Sequence, residues 1–178
     1  MRYVALLRGI NVGGHAVIKM ADLSACIADL GYCDVRTYIA SGNVLFQSTA
    51  RPAVLETEIE RALGQRFSLA NRVVVRSGRE IARIVDAIPA PWIGAAELRV
   101  TVGFLLRGTT ARSAALLVRP REGIDELVRA SGALIWATRM DALTRSGIRL
   151  IGTPLYNEMT LRNLNTTLKL AELLRSAP

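Results

Sequence analysis

A glycine-rich segment near the start of the chain contains the residue types of an anion-binding loop. The hydrophobic run Tyr3–Leu7 is followed by Arg8, three glycines, Asn11 and the only histidine of the chain, His15. Glycines let backbone N–H groups approach a ligand closely, successive N–H groups form anion-binding nests, and an arginine can add a forked hydrogen bond. The next clear helix begins near Met20, so the connection has about ten residues instead of the usual two to six. The ligand-binding residues predicted here are Arg8, Gly9, Asn11, Gly13 and Gly14.

A short polar turn follows the second predicted strand. If the first strand lies antiparallel to the third, the end of the first meets the start of the third. Ser41, Gly42 and Asn43 then lie beside the glycine loop at one rim of the sheet, and we predict that they bind the same ligand. The alternative is that this tripeptide is only a hairpin turn.

A third polar segment lies near the end of the chain. Thr160 is a suitable N-cap, and a helix is predicted from there to about Arg175. On such a helix Arg162, Asn165, Thr166 and Lys169 share one face, because they are spaced three, four and seven residues apart. The N-terminal end of a helix is also a favourable place for an anion. An internal role in polar packing is the alternative. The ligand-binding residues predicted here are Arg162, Asn163, Asn165, Thr166 and Lys169.

The hydrophobic periodicity predicts an α+β protein with two linked subdomains. In residues 1–76 the order strand, helix, strand, strand, helix, strand is that of a ferredoxin-like antiparallel sheet. Residues 77–178 are predicted to form a second, smaller α+β subdomain that is closed by a C-terminal helix over residues 160–175. The predicted elements of the first part are Tyr3–Leu7, Met20–Leu30, Val35–Ile39, Val44–Gln47, Pro52–Arg66 and Arg72–Arg76. Those of the second are Arg79–Ala87, Arg99–Leu106, Thr110–Leu117, Ile124–Arg129 and Ala133–Thr138, with a connector at Pro154–Met159.

The composition favours an ordered, basic protein. Hydrophobic residues make up 51% of the chain and charged residues 21%, which excludes global disorder. The net charge of +8 suits an anionic partner: a nucleotide, a phosphorylated metabolite or nucleic acid. No apolar stretch approaches the length of a membrane span, so no membrane partner is predicted. Cys26 and Cys33 are expected to be buried free thiols, as in a reducing cytosol, which predicts a cytoplasmic location. The sequence is compatible with a homo-oligomer and does not decide the oligomeric state.

The acids and the single imidazole offer little for catalysis. His15 cannot form a His-based metal cluster alone, and no paired carboxylates stand out, so neither a metal nor a cofactor is predicted. Residues 9–16 nearly fit the spacing of a P-loop, but His15 and Ala16 replace its Lys and its hydroxyl residue. Glu158, just before the last predicted helix, and His15 are the candidate acid–base groups.

Three function classes follow from these residues. The first, which we favour, is a cytosolic binding module for a phosphate-bearing ligand, either a nucleotide or nucleic acid, where the three segments meet. The second is an enzyme acting on a phosphorylated small molecule, with electrostatic stabilisation by arginine and backbone N–H groups. The third is a structural or oligomeric protein in which the asparagines are buried and bonded internally.

Three segments taken together resemble one bacterial family, the domain of unknown function 1697. They are Leu6–Gly14, Tyr38–Phe46 and Thr160–Thr166, and Arg99–Leu105 is similar to the middle strand of the family. The resemblance implies two linked α+β subdomains, the first of them ferredoxin-like, and it implies no activity. The family commonly has Lys where this chain has His15 and Trp where it has Leu164. A neutral imidazole at that position would bind an anion only weakly at pH 7.

Overall fold

The computed structural model describes residues 1–11 and 17–175, which form two compact units. Among these residues, the first unit contains 1–11, 17–79 and 172–175, and the second contains Glu80–Ala171. The sequence placed the whole tail in the second part and expected that part to be the smaller one. In the described residues the second unit is not the smaller, and residues 172–175 belong to the first.

The first unit is built on a four-stranded antiparallel sheet in the order β2-β3-β1-β4. Hydrophobic residues on one face of the sheet pack against the apolar stripes of α1 and α2 and form the core. Leu23 and Ile27 supply the stripe of α1, and Leu55, Ile59 and Leu63 that of α2. The elements are β1 (Arg2–Leu7), α1 (Met20–Ala28), β2 (Cys33–Tyr38), β3 (Asn43–Gln47), α2 (Pro52–Phe67) and β4 (Val73–Ser77).

Two glutamates of α2 cover the free edge of β4. Glu60 accepts a hydrogen bond from the backbone N–H of Val73 at 2.9 Å, and Glu56 accepts one from that of Val75 at 3.0 Å. These N–H groups point away from β1 and would otherwise be available to a strand of another molecule. The two glutamates lie one helical turn apart, and this spacing matches that of the outward-pointing N–H groups on every second residue of β4. Helix α2 therefore also prevents a strand of another molecule from pairing with this edge of the sheet.

The second unit contains a second four-stranded antiparallel sheet, in the order β6-β7-β5-β8. No helix in the described part of the chain is both long and apolar enough to cross a membrane. Short 3-10 turns lie at Ala90–Trp92 and Met140–Arg145. The remaining elements are α3 (Gly78–Asp86), β5 (Leu98–Leu105), α4 (Ala111–Ala115), β6 (Asp125–Ala130), β7 (Ala133–Arg139), α5 (Pro154–Asn157), β8 (Met159–Asn163) and α6 (Leu164–Arg175).

The last helix begins at Leu164, so the prediction of a helix over residues 160–175 was wrong for its first four residues. Met159–Asn163 forms strand β8 and pairs with β5 along its whole length. Thr160 is therefore not the N-cap. Asn163 is, because its side-chain oxygen accepts a hydrogen bond from the backbone N–H of Thr166 at 2.8 Å. The backbone hydrogen bonds that β8 gains from the sheet outweigh the local preference for a helix.

The two cysteines differ in their surroundings. Both are free thiols; Cys26 is buried, as predicted, whereas Cys33 lies exposed on β2, contrary to the prediction. Burial raises the pKa of the Cys26 thiol, which keeps this group protonated and unreactive. The predicted connector Pro154–Met159 contains the short helix α5, which Thr153 caps by accepting from the backbone N–H of Tyr156.

Candidate functional site

One face of the second sheet presents polar side chains beside a tryptophan. Arg99, Thr101 and Gly103 alternate along β5 and therefore share a face. Thr101 lies opposite Trp136 of β7 on one side and opposite Asn163 of β8 on the other. The strand register thus places an aromatic ring, a hydroxyl and an amide in one row across the sheet.

This row lies at the base of a cleft of about 600 Å³. A volume of that size is within the range of small-molecule sites, about 300–1,000 Å³. The loop after the 3-10 turn at Met140–Arg145 forms the opposite wall. The polar lining residues are Arg99, Thr101, Thr138, Ser146, Arg149, Arg162 and Asn163, and the apolar ones are Trp136, Leu143, Ile148, Leu150, Ile151 and Leu161.

The charge in the cleft is positive. Arg99 is exposed, and in the described residues its guanidinium has no hydrogen-bond or ion-pair partner. Arg149 is also exposed and donates to the carbonyl oxygen of Thr144 at 3.0 Å. Among the described residues that line the cleft, none is acidic. An anion that enters the cleft would therefore meet two exposed arginines, with the buried Arg162 also in the lining, and no repelling carboxylate.

A buried carboxylate holds the wall of the cleft in place. Asp125 is 7% exposed and accepts four hydrogen bonds, from the hydroxyls of Thr138 and Ser146 and from the backbone N–H groups of Arg121 and Gly147. Burial by itself would raise the pKa of Asp125, but these bonds outweigh it and hold the pKa below its ordinary value. Because Thr138 and Ser146 line the cleft, Asp125 fixes the loop wall relative to the sheet.

The same wall needs a glycine for close packing. A Cβ atom added at Gly147 would lie 2.0 Å from the carbonyl oxygen of Arg119. Contacts under about 3 Å between such atoms do not occur without movement of the backbone. Gly147 therefore lets the loop approach the segment before β6 closely enough to bond Asp125.

The start of α6 borders the cleft through Asn163, its N-cap. The adjacent Arg162 is a strand residue opposite Val102 of β5 and is 8% exposed. Its guanidinium donates to the Thr160 hydroxyl at 2.9 Å and to the Leu161 carbonyl oxygen at 2.7 Å. Burial lowers the pKa of Arg162 to about 10, which still leaves it charged at neutral pH. On α6, Asn165 is exposed, Lys169 is half-buried and Thr166 is buried.

Comparison with known proteins places the chain in a family. A family model described as "Protein of unknown function (DUF1697)" matches residues 1–136. The chain belongs to this family. The solved structure of the conserved bacterial protein SP0830 from Streptococcus pneumoniae matches with a TM-score of 0.86 at 24% identity, over 98% of each chain. That likeness shows a shared fold, and no curated protein matches the sequence.

In the first unit, the structure brings the predicted loop and turn residues together. The backbone N–H of Leu7 donates to the Gly42 carbonyl oxygen at 2.8 Å, and Leu6 pairs with Asn43. A Cβ atom at Gly42 would lie 2.8 Å from the side chain of Ile10, so only glycine fits this contact. Gly13, Gly14 and His15 lie outside the described residues.

The two asparagines of this region bond to the protein itself. The Asn11 amide donates to the carbonyl oxygens of Ile18 and Ala40 at 3.0 and 2.9 Å, and its oxygen accepts from the Ile18 N–H at 2.8 Å. Asn43 is fully buried and donates to the Tyr38 carbonyl oxygen and to the Ser41 hydroxyl, both at 3.0 Å. These bonds favour an internal role for both side chains.

The contacts of Asn11 make its replacement a test of that role. Asn11 has a φ of 55°, a conformation that asparagine tolerates better than alanine. We expect Asn11→Ala to lower the free energy of unfolding by about 2–4 kcal/mol, because three hydrogen bonds are lost and the backbone is strained. Urea denaturation measures the change, with exposed Asn165→Ala as the control. A loss no larger than that of the control would contradict a structural role.

The predicted site residues therefore fall into two sets. Those from Arg8 to Asn43 belong to the first unit, those from Arg162 to Lys169 belong to the second, and a joint site stays a prediction.

Glu158, the candidate acid–base group, does not line the cleft and accepts from the Thr109 hydroxyl at 3.0 Å. Arg99, Trp136 and Arg149, which line the cleft, were missed. The alternation of Arg99 and Thr101 along a predicted strand was the available signal.

Proposed function

We propose that this protein binds a phosphate-bearing ligand in the cleft of its second unit. The observation that supports this most directly is the guanidinium of Arg99, which has no partner among the described residues and lies at a cleft of about 600 Å³. None of the described residues that line this cleft is acidic. An arginine fork matches the geometry of phosphate oxygens and forms two parallel hydrogen bonds with them.

The start of α6 adds to the preference for an anion. The N-terminal end of a helix has a partial positive charge and backbone N–H groups that are not used within the helix. Asn163 satisfies the N–H of Thr166, and the helix begins directly beside the cleft. Arg149 at the loop wall supplies a second positive group. The groups at the cleft thus match the charge and hydrogen-bonding capacity of a phosphate.

Calorimetric titration with adenosine 5′-monophosphate tests the proposal. We expect Arg99→Gln to weaken binding by about tenfold or more, because a charge-assisted hydrogen bond contributes about 1.5–3 kcal/mol. The matched control is Arg83→Gln, since Arg83 is exposed on α3 of the same unit and does not line the cleft. It should leave the affinity unchanged. Equal weakening by both variants, or no measurable binding at about 50 mM salt, would reject the proposal.

Two further assignments are proposals of the same kind. We propose that the first unit is ferredoxin-like, which its sheet order β2-β3-β1-β4 and the positions of α1 and α2 in the chain support. The free thiols of Cys26 and Cys33 support a cytoplasmic location, which imaging of a fluorescent fusion in a bacterial host would test.

A further inference from the structure

We infer that the ligand of this cleft is a nucleotide whose flat nucleobase lies against the apolar side chains near Trp136. This inference rests on the proposed function and specifies the organic part of the ligand. The cleft volume of about 600 Å³ greatly exceeds the space that a phosphate group alone would fill. The remaining space is large enough for the organic part of a nucleotide.

Beside the polar row at the base of the cleft, apolar side chains pack over one position, Gly103. This residue lies opposite Leu161 of β8 and Leu134 of β7, one row along the sheet from Trp136. With no side chain at Gly103, the six-membered ring of the Trp136 indole can extend over the β5 backbone. A Cβ atom there would lie 3.1 Å from Cζ3 of Trp136 and 2.8 Å from Sδ of Met159.

The loop wall across the cleft presents apolar side chains beside Ser146 and Arg149. Leu143, Ile148 and Leu150 line it and face the same space as Trp136 and Leu161. A slot between a sheet and a hydrophobic wall suits a planar ring, because both faces of the ring lose contact with water. Nucleotide bases have this shape, whereas a sugar phosphate presents hydroxyls to both walls.

The polar lining residues suit the edge and the sugar of a nucleotide. Thr101 and Asn163 lie in the same row as Trp136, so a ring over the indole has a hydroxyl and an amide within the same part of the cleft. The Asn163 side-chain oxygen already caps α6, and its NH₂ group is the donor that faces an acceptor atom at the edge of a base. Arg99 and Arg149 then remain for the phosphate.

A series of three probes separates this inference from the proposed function. Adenosine 5′-monophosphate, ribose 5-phosphate and adenosine are each titrated calorimetrically into the wild-type protein and into Arg99→Gln. We expect the nucleotide to bind about tenfold or more tightly than either partial ligand, because both the base and the phosphate contribute. Equal affinity for nucleotide and ribose 5-phosphate, with both weakened by Arg99→Gln, would overturn the inference and leave the proposed function intact. Equal affinity for nucleotide and adenosine, with no effect of Arg99→Gln, would overturn both.

Gly103→Ala gives a second, independent readout. The added methyl group pushes against the ends of the Met159 and Trp136 side chains, which can move, and we expect the indole to shift within the cleft. We expect the nucleotide affinity to fall by about tenfold while the affinity for ribose 5-phosphate stays unchanged. An equal loss for both probes would contradict a base-specific slot. The comparison of probes on the wild-type protein decides the matter if this variant does not fold.

Discussion

Gly147→Ala is expected to destabilise the protein strongly. The new Cβ atom would lie 2.0 Å from the carbonyl oxygen of Arg119 and 3.2 Å from the backbone nitrogen of Arg121. Both are main-chain atoms, so no side-chain rotation relieves the clash and the loop must lift. We expect a loss of at least about 3 kcal/mol in the free energy of unfolding. For a chain of this size that loss lowers the melting temperature by about 6–12 °C.

Thermal and urea denaturation measure this effect, and Gly64→Ala is its matched control. Gly64 lies within α2, and the nearest atom to an added Cβ there is the Leu69 carbonyl oxygen at 3.6 Å, an ordinary contact. The control should be neutral or stabilising by about 0.5–1 kcal/mol, because alanine is the better helix residue. Similar melting temperatures for the two variants would show that the loop does not depend on this close approach.

Replacement of Asp125 is expected to have the next largest effect. Asp125→Ala leaves the hydroxyls of Thr138 and Ser146 and the N–H groups of Arg121 and Gly147 without their shared acceptor. Unsatisfied buried donors cost about 1–3 kcal/mol each, and the hydroxyls can find other partners, so we expect a loss of at least about 3 kcal/mol. Nucleotide binding should weaken too, since the released loop is one wall of the cleft.

The charge of Asp125 predicts how this stability depends on pH. Because its pKa in the folded protein lies below the ordinary value of 3.8, the carboxylate contributes stability that is fully present above that value. The contribution is lost as the pH falls through the folded-state pKa. Asp125→Asn keeps the shape and part of the hydrogen bonding, but it cannot titrate. We therefore expect the difference in unfolding free energy between wild type and Asp125→Asn to shrink from about pH 6 to about pH 3.

An exposed aspartate provides the control for this experiment. Asp141 pairs with Arg139 at 2.6 Å, and both side chains are more than half exposed. Solvent screens such a pair, so Asp141→Asn should leave the unfolding midpoint at neutral pH nearly unchanged. If Asp125→Asn were as mild as this control, Asp125 would not be the group that fixes the loop.

The regular hydrophobic periodicity of the first unit made its helices and strands predictable. The start of the last helix could not be predicted in this way. Leu55, Ile59 and Leu63 repeat at helical spacing, so α2 could be located from local pattern alone. Met159–Asn163 is a strand only because β5 lies beside it, and that pairing joins residues about sixty positions apart. The assignment of Thr160 as an N-cap used only neighbouring residues, so it could not take the pairing with β5 into account.

The same difference applies to the candidate site. The end of β1 and the turn at Gly42 and Asn43 could be brought together from topology, because two central antiparallel strands were recognised. Internal bonding of Asn11 was one of the alternatives, but its partners Ile18 and Ala40 could not be predicted because they lie in separate loops. The cleft depends on the register of β7 and β8 against β5 and on a loop fixed by Asp125. The alternation of Arg99 and Thr101 indicates one face of β5, but the contacts with β7, β8 and the loop leave no periodic signal in the sequence.

The most direct test of the proposed cleft is a map of nucleotide-induced chemical shift changes over the whole protein. Adenosine 5′-monophosphate is titrated into the isotope-labelled chain, and the backbone and indole N–H signals are followed. We predict that the largest changes occur at the Trp136 indole, Thr101 and Asn163. Changes confined to the loops around Gly9 and Gly42 in the first unit, or no saturable changes at all, would contradict a phosphate-binding cleft in the second unit.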